Sequence, residues 1–226
     1  MKSVFLFKKS LLALTIGALA QQAFAFGYNI ANGSENFPNQ TFNGPFQLVG
    51  SRNTVLSSND PGVQISDSAI NGDFINNSSL ALDANGLRAN GIGIGIGIQQ
   101  SFAPARQSTI NGSVINNGTL DIHNAGDVEG FEIGHSTVSG SVINNGKILL
   151  SMASTFNGFG SPEAMYLHGA QIGGDVINRG TIRAIGDYAT GLIFDADGPN
   201  KISIGGKIIN TQKKGDRFIS RTRIAV

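Results

Sequence analysis

The chain has 226 residues, 31 of them glycine, and contains neither cysteine nor tryptophan. Without cysteine it has no disulfide, no thiol nucleophile and no thiolate-ligated zinc or iron–sulfur site. Hydrophobic residues make up 40% and charged residues 14%, which supports an ordered core and excludes a highly charged disordered protein. Basic residues crowd near both ends, so the body of the chain is slightly acidic, and capture of nucleic acid by charge is not expected.

Residues 1–25 are predicted to form a signal peptide. The segment begins with lysines, continues with an apolar run, Leu11 to Ala20, and ends in Ala23-Phe24-Ala25, which is typical of a cleavage site. The apolar run is shorter than the roughly 20 residues that a membrane-spanning helix needs, and no later segment qualifies as one. We therefore expect export through the Sec pathway with cleavage after Ala25, the alternative being a membrane anchor.

Residues 26–61 differ in pattern from the rest of the chain. They contain Phe37, Phe42 and Phe46 together with Pro38 and Pro45, and they lack the repeat described next. An array of stacked strands has an open end that exposes backbone groups and apolar surface. We therefore expect residues 26–61 to be an N-terminal cap whose aromatic side chains cover that end.

Residues 62–210 contain one unit five times. Its copies begin at successive spacings of 40, 28, 34 and 32 residues, at Ile70, Ile110, Val138, Ile172 and Ile204. Within a copy the recurring side chains alternate with period two, and most of the apolar ones are β-branched. The pattern predicts an all-β protein with about five repeats of roughly 33 residues.

Two β architectures fit such a unit. Asn-Gly between apolar runs is a hairpin signal, which would give an antiparallel meander. A parallel solenoid instead stacks each position on its counterpart one coil away, about 4.8 Å along the axis, and explains why the same side chain recurs at the same offset. We favour the solenoid. It predicts a hydrogen-bonded ladder of side-chain amides from Asn76, Asn116, Asn144, Asn178 and Asn210.

Two further rows recur with the repeat. Glycines return at fixed offsets, which we attribute to tight corners that need positive φ: Gly112, Gly118, Gly140, Gly146, Gly174 and Gly180. An isoleucine row is out of phase with the apolar face, at Ile75, Ile115, Ile143, Ile177 and Ile209. Either the backbone bends at the next asparagine and turns this row inward, which we favour, or the solenoid carries an exposed apolar stripe.

Little in the sequence indicates catalysis or cofactor binding. His123, His135 and His168 stand on different repeats without metal-ligand spacing, so neither a metal nor another cofactor is expected. The carboxylate pairs Glu129/Glu132 and Asp195/Asp197 are interpreted as solvated loop charges. The Gly91–Ile98 run is predicted to be a strand and not a phosphate loop, because no helix follows it. No residue is nominated as catalytic, cofactor-binding or metal-binding.

The repeat [IV]-x-G-x-[VF]-I-N-[NR]-G-x-[IL], preceded by segments such as Ala189–Phe194, resembles the passenger repeats of Gram-negative autotransporters over roughly residues 62–210. That resemblance implies a right-handed parallel β-helix, exported and then displayed or shed at the cell surface through a C-terminal outer-membrane barrel. Many passengers of this family are adhesins.

The sequence departs from that family at its end. No barrel follows the repeats, and residues 211–226 are expected to be an irregular basic tail of a truncated passenger, or alternatively a cap. We expect a non-enzymatic, adhesin-like surface fragment that acts as spacer and contact surface for host-cell, matrix or neighbouring-cell molecules. Without a barrel supplied to it, it would stay in the periplasm. The alternatives are a β-helical polysaccharide lyase or hydrolase and a non-functional remnant of a longer autotransporter. Reading the downstream DNA for an in-frame or shifted barrel would identify a remnant.

Overall fold

The computed structural model describes residues 26–30, 35–55, 61–84, 92–99, 107–153, 161–196, 201–211 and 220–223. The predicted signal peptide and Asp197 lie outside these residues. The described residues form 25 β-strands and no α-helix. No helix among them is long and apolar enough to cross a membrane.

Four parallel sheets run the length of the structure. Sheet A comprises β1 (Phe26–Asn29), β4 (Phe46–Val49), β8 (Phe74–Asn76), β12 (Val114–Asn116), β16 (Val142–Asn144), β20 (Val176–Asn178) and β24 (Ile208–Asn210). Sheet B comprises β2 (Glu35–Pro38), β6 (Val63–Ser66), β10 (Ile92–Gln99), β14 (Asp127–Gly134), β18 (Pro162–His168), β22 (Thr190–Asp195) and β25 (Ser220–Arg223).

The other two sheets have shorter or fewer strands. Sheet C comprises β3 (Thr41–Phe42), β7 (Ala69–Ile70), β11 (Thr109–Ile110), β15 (Thr137–Val138), β19 (Gln171–Ile172) and β23 (Ser203–Ile204). Sheet D comprises β5 (Ser51–Val55), β9 (Ser79–Asp83), β13 (Thr119–Ala125), β17 (Lys147–Met152) and β21 (Thr181–Ile185).

The chain visits the sheets in the order B, C, A, D and then begins the next coil. Each strand pairs in parallel with its counterpart one coil away, as Val114, Ile115 and Asn116 do with Val142, Ile143 and Asn144. The result is a β-solenoid of about five turns of roughly 32 residues. This confirms the predicted all-β parallel architecture and excludes the antiparallel meander. The strand predicted for Gly91–Ile98 is present from Ile92 onward as β10, which pairs on both edges, with β6 and β14, while Gly91 lies outside the described residues.

The interior is a continuous apolar column built from one face of every sheet. Phe74, Val114, Val142 and Val176 stack in sheet A, while Leu80, Leu120, Ile148 and Ile182 stack in sheet D, and all are almost fully buried. Stacking of like side chains along the axis buries each against its counterpart, which is why the period-two pattern repeats so closely.

The isoleucine row does not turn inward, so the favoured expectation of a bend was wrong. Val114 and Asn116 are 1% exposed, whereas Ile115 between them is half-buried on the opposite, outer face of sheet A. Strict alternation therefore holds through the asparagine. The isoleucines shield one another because each pairs with its counterpart in the next coil, and only Ile177 is fully buried.

The repeating glycines do not have positive φ, which corrects the reason given for them from the sequence. Among the described glycines, positive φ occurs only at Gly44, Gly50, Gly169 and Gly186. At Gly118, Gly146 and Gly180 a Cβ would instead overlap a backbone carbonyl oxygen of the preceding coil. These positions need glycine because two backbones approach closely there.

Both ends of the solenoid differ from the expected boundaries. Within residues 26–61, β2 to β5 add a complete coil in register with the next one, so the solenoid begins before residue 62. Its interior is aromatic: the Phe46 ring lies 5.2 Å from Phe37 and 5.9 Å from Phe74, measured between ring centroids. At the other end, β25 of the expected irregular tail pairs in parallel with β22.

Candidate functional site

Three columns of asparagine side chains run along the stack, two of them exposed. The buried column lies at the corner between sheets A and D, where Asn76, Asn116, Asn144 and Asn178 are at most 3% exposed. Each donates its side-chain N–H to the Oδ1 of the next asparagine, at 2.8, 2.8, 2.8 and 3.0 Å, ending on Asn210. The ladder satisfies amides that would otherwise be buried without partners, and its role is structural.

The second column lies one residue further along, on the outside. Asn117 donates to Asn77 and Asn145 donates to Asn117, both at 3.0 Å, so its amides point in the opposite direction to those of the buried ladder. In the next coil the corresponding residue is Arg179, whose backbone N–H bonds to Asn144 O. The exposed ladder therefore ends where a cation replaces an amide.

A third, shorter column joins Asn43, Asn71 and Asn111 at the turn between sheets C and A. The sequence analysis missed both exposed columns. Their signal was present, since Asn follows the repeat start at Ile70 and Ile110 and follows the ladder asparagines Asn76, Asn116 and Asn144.

An open groove follows the turns between sheets A and D. It has a volume of about 540 Å³ and spans three consecutive coils with Thr211 at one end. We define this turn groove by its lining residues, Asn117, Gly118, Thr119, Asn145, Gly146, Lys147, Arg179, Gly180, Thr181 and Thr211. A central row of glycines, which has no side chains, lies between an Asn/Arg row and a Thr/Lys row.

The groove is rich in hydrogen-bonding groups and carries positive charge. Among the described residues that line it, the ionised side chains are Lys147 and Arg179, both exposed, and none is a carboxylate. The amides, hydroxyls and backbone groups of the turns repeat about every 4.8 Å along the axis. Such a surface suits an extended polar ligand that lies parallel to the solenoid axis.

A second unusual feature is a set of buried carboxyl groups on the outer face of sheet B. We define the carboxyl cluster as Asp127, Glu129 and Glu132 on β14 with Glu163 on β18. The three glutamates are only 6%, 8% and 8% exposed, so the interpretation of Glu129 and Glu132 as solvated loop charges was wrong. The loop assignment failed because Val128 and Ile133 on the same strand face the core, which places both glutamates within a sheet.

Polar groups contact some of the carboxyl oxygens of the cluster. His168 Nε2 lies 3.1 Å from Glu132 Oε1, and the Ser161 hydroxyl donates to Glu163 Oε1 at 2.5 Å. Glu129 Oε2 and Glu132 Oε2 are buried without a hydrogen-bond partner in the described part of the chain. Burial, followed by the charges of Glu132, Glu163 and Asp127, raises the pKa of Glu129 well above its usual value.

The pKa values of Asp127 and Tyr166 are raised by the same buried, acidic surroundings. Burial also raises the pKa of Asp127, although hydrogen bonds from the backbone of Ser161 and Val128 oppose the shift. Burial and the nearby carboxylates, with Asp195 first among them, raise the pKa of the Tyr166 hydroxyl. The Tyr166 ring stacks on His168 at 4.7 Å between centroids. Within the described residues, no three His, Asp or Glu side chains are arranged to hold a metal ion.

The three histidines are not brought together as one site. His123 lies on the outer face of sheet D, 3.9 Å from Asp121. His135 occupies a turn with φ of 46° and packs edge-to-face against His168 at 5.2 Å. Asp195 is on β22, next to His168 of β18 in the register.

The carboxyl cluster gives a testable pH dependence. The pKa of Glu129 is raised in the folded protein above the value of about 4.3 of an unfolded chain. The folded state therefore binds more protons, and stability falls as pH rises from about 4.3 towards the folded pKa. Glu129→Gln should remove this loss, raising the free energy of unfolding at pH 8 by about 1–3 kcal/mol with little effect at pH 4.

Denaturant unfolding of both proteins at the two pH values measures this difference. The exposed carboxyl of Asp187 provides the control, because Asp187→Asn should change neither value appreciably. An equal response of Glu129→Gln and the parent to pH would contradict the assignment of Glu129 as a buried carboxyl with a raised pKa.

No family model matches the chain, and no curated protein or solved structure matches it significantly.

Proposed function

We propose that the protein is an exported, non-enzymatic, adhesin-like passenger of the autotransporter type, whose solenoid presents a contact surface to host-cell, matrix or neighbouring-cell molecules. The observation that carries this proposal is the turn groove, an open polar surface of about 540 Å³ that crosses three coils of a regular scaffold. The signal-like residues 1–25 support export. Proteins built from stacked repeats commonly bind through such extended surfaces.

The dimensions favour contact over spacing. The seven stacked strands of sheet A or sheet B, about 4.8 Å apart, rise only about 29 Å along the axis. This equals the length of an α-helix of about 19 residues, so the described coils by themselves separate two surfaces very little. Its outer faces, with ladders and groove, are the part that a partner would meet.

Export and contact are tested separately. In a Gram-negative host, the full chain should be processed to a product that begins at Phe26 and is recovered outside the cytoplasm. Localisation is cell-surface or extracellular when a barrel is supplied and periplasmic otherwise. N-terminal sequencing of fractionated cells checks this, and an unprocessed cytoplasmic chain would refute export.

Contact is tested with beads coated with residues 26–226. These beads should adhere to cultured cells or extracellular matrix, whereas beads coated with the heat-unfolded chain should not. Equal adhesion of the two would show that the folded surface is not responsible.

The carboxyl cluster supports a second candidate, a polysaccharide lyase or hydrolase. Raised pKa values of buried carboxyl groups occur at sites of general acid catalysis. If the protein has this activity, it should release reducing ends or unsaturated products from acidic glycans, and Glu129→Gln should abolish the release. No release by the parent protein would leave the contact function as the proposal.

A further inference from the structure

The repeats show which residues the turn groove needs as a scaffold. In the Asn/Arg row three successive coils have Asn77, Asn117 and Asn145, and each new amide donates to the one before it. In the Thr/Lys row the pairing register places Ser51, Ser79, Thr119, Lys147 and Thr181 one above another. Asparagine and a small hydroxyl residue therefore suffice to build the turn in most coils.

Two positions in the groove depart from that pattern, and both introduce a cation. Arg179 stands where the three preceding coils have asparagine, and Lys147 stands where other coils have serine or threonine. Both side chains are exposed and have no ion-pair partner within the described residues. They lie in neighbouring coils, so about 4.8 Å separates them along the axis. Since other coils build the same turns without them, the scaffold does not need the two charges.

We propose that the turn groove binds a linear anionic glycan, with Arg179 and Lys147 contacting its carboxylate or sulfate groups. The planar guanidinium of Arg179 matches the geometry of such oxyanions, while Lys147 acts as a compact charge. Asn117, Asn145, Thr119 and Thr181 supply amide and hydroxyl partners for sugar hydroxyls. The glycine row lets the chain approach the turn backbone. This inference deepens the proposed contact function by naming its ligand class.

Because the body of the chain is acidic overall, we expect the groove to recognise the positions of a ligand's charges and hydroxyls, and not its total charge. Net positive charge is not what draws the ligand, since basic residues within the body are few. A polyanion without sugar hydroxyls should therefore bind poorly, because two exposed cations alone give weak attraction that salt screens.

The test uses residues 26–226 and four probes in a calorimetric or surface-binding titration at low salt. A heparin oligosaccharide carries sulfate and carboxylate, an oligogalacturonate carries carboxylate only, dextran is neutral, and poly-glutamate is anionic without hydroxyls. We expect binding of at least one anionic glycan, with dextran and poly-glutamate much weaker. Binding of heparin alone identifies sulfate as the recognised group, and binding of both identifies carboxylate.

The decisive variant restores the repeat at both positions, Arg179→Asn with Lys147→Thr. Because other coils carry these residues, the double variant should fold normally, and it should bind the anionic glycan at least about 10-fold more weakly. The matched control Lys201→Ser with Lys207→Ser removes two exposed lysines outside the groove and should bind like the parent.

Three results would overturn the proposal. They are no binding of either anionic glycan by the parent, unchanged affinity of the Arg179/Lys147 double variant, and equal binding of poly-glutamate. None of them touches export or bead adhesion, so failure of the glycan assignment is distinguishable from failure of the proposed function.

Discussion

Gly146→Ala is expected to destabilise the solenoid by about 3 kcal/mol or more, or to prevent folding. A Cβ at this position would overlap the carbonyl oxygen of Gly118 and lie 2.8 Å from the carbonyl carbon of Asn117. Both groups belong to the backbone, so no side chain can rotate away. Relief requires the two coils to separate, which would break the bond from Gly146 N to Asn116 O, 2.9 Å long.

Far-UV circular dichroism in increasing guanidinium chloride measures the effect as a shift of the unfolding midpoint. Gly27→Ala is the control, because a Cβ on Gly27, which lies in β1, meets nothing within 4 Å. It should change stability by no more than about 0.5 kcal/mol. A Gly146→Ala protein with the parental midpoint would show that the coils are not packed as closely as described.

Asn144→Ala is expected to cost about 3–5 kcal/mol, although it removes only a short polar side chain. The side chain accepts from Asn116 Nδ2 and donates to Asn178 Oδ1, both at 2.8 Å. Alanine would leave a buried donor on one side and a buried acceptor on the other, each costing about 1–3 kcal/mol. A small cavity adds to the loss.

The neighbouring residue provides the control for this experiment. Asn145 takes part in the outer ladder by donating to Asn117 at 3.0 Å, but it is exposed, so water can replace the bond. Asn145→Ala should therefore change the unfolding midpoint little, by about 0.5 kcal/mol or less. Equal effects of the two substitutions would contradict the assignment of one ladder as buried and the other as exposed.

The fold was accessible from sequence because a solenoid repeats its own constraints. Each coil buries the same positions against the coils on either side, so Val114, Val142 and Val176 carry the same information three times. The buried serines show the limit of this approach. Ser68, Ser108 and Ser136 precede three repeat starts by two residues, and their hydroxyls bond to backbone carbonyls at 2.7–2.9 Å. That signal was available and was overlooked.

The boundaries of the solenoid were harder to predict from the sequence. The coil from Glu35 to Val55 has the backbone pairing of the repeat but only part of its sequence. Asn43 and Gly44 match the repeat, whereas Leu48 pairs with the ladder residue Asn76, and aromatic side chains fill much of the interior that valine and isoleucine fill elsewhere. Backbone hydrogen bonds in a parallel ladder do not depend on side-chain identity. The number of repeat copies recognised in the sequence is therefore a lower limit on the number of coils in the structure.

The candidate sites needed the tertiary structure. Glu129 and Glu132 on β14 approach Glu163 and His168 on β18 only because successive coils stack in register, with residues 34 to 36 positions apart becoming neighbours. The turn groove arises in the same way from three separated turns. No local pattern predicts either arrangement, since each depends on what lies one coil away.

The sequence by itself determined the strands, their parallel stacking and the residues that face the core, because period-two alternation and in-register repetition leave few other ways to bury the same apolar face in every copy. Only the tertiary structure decided that the isoleucine row lies outside, that the glycines accommodate neighbouring backbone and that the glutamates are buried. Burial and close approach depend on distances between coils, and alternation along one strand does not contain those distances.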